Sequence, residues 1–88
     1  MIVETRETRL KRLKMRSMRR GIKEMDIILS RYAEAKLADM DDAALDLYDA
    51  LLSENDQDLY QWVSEQNQGP ARFLGLITDI TKTMHQAE

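Results

Sequence analysis

The sequence predicts an all-α protein, a compact five-helix bundle formed by a single helical domain over residues 1–88. Apolar residues recur at spacings of three and four, the period of one face of a helix. Stretches in which polar and apolar residues alternate, as they do in a half-buried strand, are absent. Glycine and proline, which interrupt helices, account for only three and one of the 88 residues.

The first two predicted helices are separated by Arg20 and Gly21. The first is predicted over residues 5–19, with Met18 on its apolar side and Gly21 as its C-terminal cap. The second is predicted over residues 22–37. Its apolar stripe comprises Ile22, Met25, Ile28, Leu29, Tyr32 and Ala33.

The remaining three helices are shorter or begin at recognisable signals. The third is predicted over residues 41–52, with Asp41 as its N-cap. A short fourth helix begins near Asp56, and the fifth is predicted over residues 70–85 because proline suits the first turn of a helix. Gly75 inside the fifth helix costs roughly 1 kcal/mol relative to alanine. A close approach between two helices at this glycine would explain it.

The residue content argues against catalysis. The chain has no cysteine, and its only histidine, His85, lies four residues from the C-terminus, where side chains are usually solvated. Nucleophile–base pairs of the usual kind therefore have no base. We expect a protein that is not an enzyme and has no catalytic residue or metal site, and its residues indicate no cofactor of its own.

Two acidic groups call for an explanation, residues 39–42 and the pair Asp56 and Asp58. Both lie at the starts of predicted helices, where carboxylates cap free N–H groups and complement the helix dipole. A divalent-cation loop needs more oxygen ligands at regular alternation. Helix capping is the preferred interpretation. No apolar run approaches the ~18–20 residues of a membrane span, so membrane insertion is not expected.

Charge is divided unevenly along the chain. Residues 1–20 hold eight basic and two acidic side chains, a net charge of +6, whereas residues 21–88 carry five basic and fourteen acidic side chains, a net charge of −9. One interpretation is a small nucleic-acid-binding module that uses the Arg-rich first helix. The other, which we prefer, is a helix that offsets its own acidic body, because the basic segment lacks the interleaved aromatics of a single-strand stacking platform.

The string at residues 20–24 is the best candidate for a binding site. On a continuous helix Arg20 and Glu24 would share a face, with the bare backbone of Gly21 beside them. A partner chain could then approach closely while Arg20 donates and Glu24 accepts hydrogen bonds. The alternative is a cap glycine flanked by ordinary surface charges.

Two segments of the chain resemble a known family. Residues 20–26 read Arg-Gly-Ile-Lys-Glu-Met-Asp, which resembles the RGxxE signature of the succinate dehydrogenase assembly factor 2 family. Residues 56–62 read Asp-Gln-Asp-Leu-Tyr-Gln-Trp and resemble that family's second segment. The order and separation of the two segments also match, so the resemblance covers about residues 9–84.

The resemblance implies a five-helix bundle that binds the flavoprotein subunit of succinate dehydrogenase, or in some cases of fumarate reductase. Such a protein assists covalent attachment of FAD, the partner's cofactor, to a histidine of that subunit. The implied partner-binding residues are Arg20, Gly21 and Glu24, with Asp26 beside them and Met18 where many members have an aromatic. The implied protein is a chaperone-like monomer, cytoplasmic in bacteria or in the mitochondrial matrix in eukaryotes.

Overall fold

A computed structural model describes residues 4–86, which form five α helices, so the predicted fold class is confirmed. The helices are α1 (Arg6–Arg16), α2 (Lys23–Lys36), α3 (Asp42–Leu52), α4 (Asp56–Val63) and α5 (Leu74–Gln86). Two 3₁₀ turns extend the ends of elements, one over Leu37–Asp39 after α2 and one over Ala71–Phe73 before α5. None of the helices within residues 4–86 combines the length and the apolar content needed to cross a bilayer.

Helix α2 lies at the centre of the bundle and contacts α1, α4 and α5. Its buried residues occupy one face, as the predicted stripe requires, since positions three and four apart share a face. The largest fully buried side chains of the core include Tyr32, Leu29, Tyr48, Leu45, Phe73 and Leu13. The rings of Tyr32 and Tyr48 lie 5.7 Å apart and join α2 to α3.

The first helix ends three residues earlier than predicted, at Arg16. Its C-cap is Ser17, which is fully buried. The Ser17 hydroxyl donates to the carbonyl of Leu13 at 2.8 Å and is also hydrogen-bonded to the Tyr48 hydroxyl at 2.6 Å. This pairing with α3 turns the chain away from the helix axis. As a result Met18 leaves the helix and is 48% exposed, so its predicted place on the apolar side was wrong.

Gly21 is not the cap of α1, which corrects a second expectation. Four residues separate it from the last residue of the helix, and its φ is not positive. The left-handed residue of this turn is instead Arg19, with φ of 55°. The presence of glycine at position 21 therefore needs a different explanation, and the contacts of its backbone provide one.

Of the predicted N-terminal caps, that of α3 is confirmed and that of α4 is corrected. Asp41 caps α3 and accepts from the N–H of Ala44 at 2.8 Å, as predicted. The cap of α4 is Asn55, which accepts from the N–H of Gln57 at 2.8 Å. Asp56 is thus the first residue of α4, and its carboxylate is directed elsewhere.

The two glycines of the C-terminal half have opposite surroundings. A Cβ built on Gly75 would meet nothing within 4 Å, so the expected close approach of two helices there was wrong. A Cβ on Gly69 would lie 2.6 Å from Cδ1 of Ile77 and 3.0 Å from the ring of Trp62. The close approach is therefore at Gly69, in the connection between α4 and α5.

A row of arginines on α1 faces the carboxylates of α3. Arg9 pairs with Asp46, and Arg16 pairs with Asp49. Arg12 also reaches Asp49, with its Nη2 3.0 Å from Oδ2. The spacing of three and four on both helices puts these groups on facing sides. This row supports the interpretation that the basic helix offsets the acidic body of the protein.

Candidate docking site

The two segments that resemble the family meet in space at the loop between α1 and α2, residues 17–22. The Asp56 carboxylate accepts from Nε of Arg20 at 2.8 Å and from the backbone N–H of Gly21 at 2.6 Å. Nη2 of Arg20 lies 2.7 Å from Oδ1 of Asp56, the oxygen that also accepts from Nε. One carboxylate at the start of α4 therefore holds two consecutive residues of the loop.

Arg20 uses its other donors inside the protein as well. Nη1 donates to the carbonyl of Arg16 at 3.0 Å, and Nη2 donates to the carbonyl of Leu52 at 3.1 Å. These contacts link the end of α1, the end of α3 and, through Asp56, the start of α4. Only 11% of the Arg20 side chain is exposed, so its guanidinium braces the loop from within.

Arg20 and Glu24 do not share a face of one helix, which corrects the geometry predicted from sequence. Helix α1 ends at Arg16 and α2 begins at Lys23, so a bent segment lies between the two residues. Arg20 points inward, whereas Glu24 is exposed in the first turn of α2. A carboxylate at that position is favoured by the helix dipole.

The carboxylate of Asp56 lies close to the backbone of Gly21. A Cβ at this position would lie 3.1 Å from Oδ2 of Asp56, a separation tighter than ordinary contacts. The same Oδ2 atom accepts from the Gly21 N–H, so the backbone has to come this close. The residue is exposed, and its bare backbone forms part of the outer surface of the loop.

Asp26 holds the other side of the loop. Its Oδ2 accepts from the backbone N–H of Arg19 at 2.8 Å. Its Oδ1 lies 3.3 Å from the hydroxyl of Ser30, which is also within 3.3 Å of the carbonyl of Ser17. Asp26 is only partly exposed, and its contacts fix the loop against α2.

Large apolar side chains remain exposed on both sides of this loop. Within the part of the chain that the structure describes they are Met15, Met18 and Ile27, with exposed fractions of 70%, 48% and 43%. A shallow cavity of about 270 Å³ is lined by Met18, Arg19 and Gly21 together with Arg16, Arg20 and Asp56. Adjacent apolar surface around a polar loop is typical of a protein-binding site.

A second shallow cavity of about 240 Å³ lies beside Glu24 and Ile27. Its remaining walls come from α2, α4 and α5 and include Ile28, Tyr60 and Met84. The exposed half of the site therefore consists of Met18, Gly21, Glu24 and apolar neighbours, whereas Arg20 and Asp26 are tied to the fold.

The buried pair of Ser17 and Tyr48, below the loop, was not predicted from sequence. Burial raises the pKa of Tyr48 to about 12, while the hydrogen bond with Ser17 and the charge of Arg20 act in the opposite direction. Tyr48 is thus neutral at physiological pH. An aromatic on an apolar stripe indicates burial, but no sequence signal identifies the hydroxyl's partner.

No catalytic constellation is evident among residues 4–86. The His85 side chain is exposed in the last turn of α5. No cluster of three or more His, Cys, Asp or Glu side chains in this range is arranged to hold a metal ion. Fold and site together define a small helical protein with an exposed, internally braced loop flanked by apolar side chains.

Comparison with known proteins identifies the family. Residues 11–86 match the family described as "Flavinator of succinate dehydrogenase". This chain belongs to that family, which confirms the resemblance inferred from the two sequence segments.

Named relatives agree with the family match, and each is called "Succinate dehydrogenase assembly factor 2, mitochondrial". The protein from Meyerozyma guilliermondii is 48% identical over 62 residues, which are 70% of this chain and 46% of the relative. The protein from Mycosarcoma maydis is 36% identical over 83 residues, 94% of this chain and 35% of the relative. The protein from Drosophila virilis is 37% identical over 81 residues, 90% of this chain and 49% of the relative. The chain thus spans between a third and a half of the length of these relatives.

Proposed function

We propose that this protein binds the flavoprotein subunit of succinate dehydrogenase and promotes covalent attachment of FAD to a histidine of that subunit. The flavoprotein of fumarate reductase is a second partner of the same kind. The family match over residues 11–86 is the observation that carries the proposal. The structure supports it because the two family segments converge on one exposed loop.

The role we assign is that of a chaperone-like assembly factor, not of an enzyme. Covalent flavin attachment draws its chemistry from the flavin and from the acceptor histidine of the partner. This protein contributes by stabilising a partner conformation in which the two are aligned, since positioning alone can lower a barrier substantially. In this proposal FAD belongs to the partner, and the factor binds no cofactor of its own.

The docking surface divides its residues between two tasks. Met18, Gly21 and Glu24 are exposed and contact the flavoprotein. Arg20 and Asp26 contribute to binding indirectly, because their hydrogen bonds hold the loop in the conformation that the flavoprotein recognises. Methionine suits such a surface since its flexible side chain adapts to a partner.

Compartment and assembly state follow from the same proposal. The relatives carry "mitochondrial" in their names. The protein would act in the mitochondrial matrix of a eukaryote or in the cytoplasm of a bacterium, wherever the flavoprotein subunit receives its cofactor. We propose that it is a monomer when free, which leaves the loop accessible to the partner.

The nucleic-acid-binding alternative is not favoured. Phosphate binding needs free cationic side chains along one surface. On α1 the guanidinium groups of Arg9, Arg12 and Arg16 are engaged by carboxylates of α3. The Arg-rich helix therefore has a structural use that requires no anionic partner.

The test is co-expression with the cognate flavoprotein subunit, with covalent flavin fluorescence read on a denaturing gel. The parent protein should raise the flavin signal well above that of the flavoprotein alone. Glu24→Lys should lower the signal several-fold while the protein stays folded, because Glu24 is exposed. Gly21→Arg should also lower the signal, because its Cβ would crowd Oδ2 of Asp56 and its long side chain would lie on the surface that the partner approaches.

Gly75→Arg controls for the addition of a long cationic side chain at an exposed glycine. Gly75 has open space around its Cα and lies on α5, outside the loop. This variant should support flavin attachment at the parent level. Equal flavin signals with and without the parent protein would refute the proposed function.

A further inference from the structure

We propose that Arg19, and not Arg20, supplies the cationic contact with the partner, and that it pairs with a carboxylate on the surface of the flavoprotein subunit. This inference rests on the proposed function and specifies the chemistry of the same surface. It assigns a binding role to a residue outside the five that the sequence motif indicates.

Arg20 is poorly placed to bind a partner. Its guanidinium already donates to Asp56 and to the carbonyls of Arg16 and Leu52. With 11% of the side chain exposed, Arg20 could reach a partner only by giving up these bonds and leaving Asp56 without its cation. Breaking such a pair is strongly unfavourable because the remaining charge is left uncompensated.

Arg19 has the opposite surroundings. It is exposed and lines the shallow cavity that includes Met18 and Gly21, both proposed contact residues. Within residues 4–86 no side chain or carbonyl accepts a hydrogen bond from its guanidinium. A planar guanidinium beside apolar surface is well suited to bidentate pairing with a carboxylate.

The backbone conformation of Arg19 is one that costs free energy for any residue with a Cβ. Its φ of 55° lies in the left-handed region, where glycine is unstrained and a residue with a Cβ is not. The Arg19 N–H is held in this geometry by Asp26 at 2.8 Å. Strained residues of this kind cluster at functional sites, where the observed strain motivates a functional hypothesis.

One other non-glycine residue among those described has positive φ, and it provides a matched control. Glu65, with φ of 64°, directly follows Ser64, the C-cap of α4. A left-handed residue at this position is a common way for a helix to end. Glu65 is exposed and lies outside the docking loop, so it has the same backbone strain without the proposed contact.

The experiment compares Arg19→Gly, Arg19→Lys and Glu65→Gly with the parent protein. For each we would measure the thermal midpoint of unfolding and the Kd for the purified apo-flavoprotein subunit of succinate dehydrogenase at low and high salt. Arg19→Gly should unfold at the parent temperature or a few degrees above it, because strain is relieved. Its Kd should nevertheless rise about tenfold, as expected for loss of an interface arginine.

A variant that keeps or raises the thermal midpoint while weakening the affinity identifies a contact residue, because loss of a structural residue would lower both. Arg19→Lys keeps the charge but loses the planar fork, so it should recover part of the affinity. Arg19→Gly should also weaken the salt dependence of binding, since one screened charge pair is gone. Glu65→Gly should match Arg19→Gly in thermal midpoint and the parent in Kd.

Three results would overturn the inference, and they are separable from one another. Parent-level affinity of Arg19→Gly would show that Arg19 makes no contact, while the proposed function would stand. A thermal midpoint well below that of the parent would show that Arg19 has an internal role. Failure of the parent protein itself to bind the subunit would refute the proposed function and the inference together.

Discussion

The carboxylate of Asp56 is shared between the Arg20 side chain and the Gly21 backbone, and this sharing gives the loop its conformation. Both charged side chains are largely removed from solvent, with 11% of Arg20 and 18% of Asp56 exposed. Where two charges are this poorly hydrated, removing one leaves the other without either water or a partner. The loop thus depends on a residue 35 positions away in the chain.

We predict that Asp56→Ala lowers the free energy of unfolding by about 2–3 kcal/mol, the range expected when a buried charged hydrogen bond loses one partner. It should also lower covalent flavin attachment, because Gly21 and Arg20 lose their shared acceptor. Denaturant unfolding followed by circular dichroism measures the first effect, and flavin fluorescence after co-expression measures the second.

Asp58→Ala is the control, since Asp58 lies in the same first turn of α4 and is exposed. Its removal should change the free energy of unfolding by less than about 0.5 kcal/mol, as is usual for surface substitutions. If the two alanine variants were equally stable, Asp56 would not be the anchor of the loop.

The sequence singled out residues 20–24 as a candidate site, but it predicted neither the loop at this place nor the direction of the side chains. Arg20, Gly21 and Glu24 were singled out through the resemblance to the family. A continuous helix was assumed between them, and on that assumption Arg20 faced outward. Its true direction depends on Asp56, and contacts between residues this far apart in sequence leave no local signal.

At the scale of elements, the start of α3 was predicted more accurately than the end of α1 or the start of α5, where a 3₁₀ turn over Ala71–Phe73 precedes the α helix. Asp41 marks the start of α3 because a side-chain cap acts within three residues of itself. The end of α1 depends on Ser17, whose hydroxyl can bond both a carbonyl of its own helix and Tyr48 of α3. This second partner is a tertiary contact, so periodicity alone extended α1 by three residues too many.

Gly69 and Gly75 form a natural test of packing between α4 and α5. We predict that Gly69→Ala lowers the free energy of unfolding by about 1–2 kcal/mol, a typical cost of overpacking. Its Cβ would press on Ile77, which can shift, and on the ring of Trp62, which has less freedom. Gly75→Ala should instead raise the free energy of unfolding by about 0.5–1 kcal/mol, because the helical glycine is replaced by a better helix former in open space.

Denaturant midpoints of the two variants, measured beside the parent, provide the comparison. The result depends on the sign of the change in each case, so it does not require accurate magnitudes. A stabilising Gly69→Ala or a destabilising Gly75→Ala would contradict the packing described for this connection.

At the scale of the whole molecule, the separation of charge along the chain becomes a contact in space. The basic first helix lies against the acidic third helix. The net charge of −3 is what remains after most of the positive and negative charges of the chain cancel. A chain of 88 residues buries a limited core, so such surface pairs account for a larger share of its stability than in a large domain. Acid should therefore weaken the attachment of α1 before it affects the core.

Asp49 is the residue on which this pH dependence is best tested. The hydrogen bond from Arg12, together with the charges of Arg12 and Arg16, lowers the pKa of Asp49 below its ordinary value of 3.8. The Arg12 side chain likewise lowers the pKa of Glu4 below 4.5. A carboxylate whose pKa is lower in the folded state stabilises the fold above its unfolded pKa, and that stability is lost as pH falls through the folded value.

We predict that the free energy of unfolding of the parent falls as pH decreases below about 4.5, and that Asp49→Asn shows a smaller fall over the same range. At pH 7 this variant should be less stable than the parent by about 1 kcal/mol, because Arg12 and Arg16 lose their shared carboxylate. The control is Asp42→Asn, which removes an 86% exposed carboxylate 3.8 Å from Arg6 and should keep the pH profile of the parent. Urea unfolding at pH 3, 4, 5 and 7 measures all three proteins. Parallel profiles for the parent and Asp49→Asn would show that the arginine row does not link α1 to α3 in solution, and the Arg-rich helix would then need another explanation.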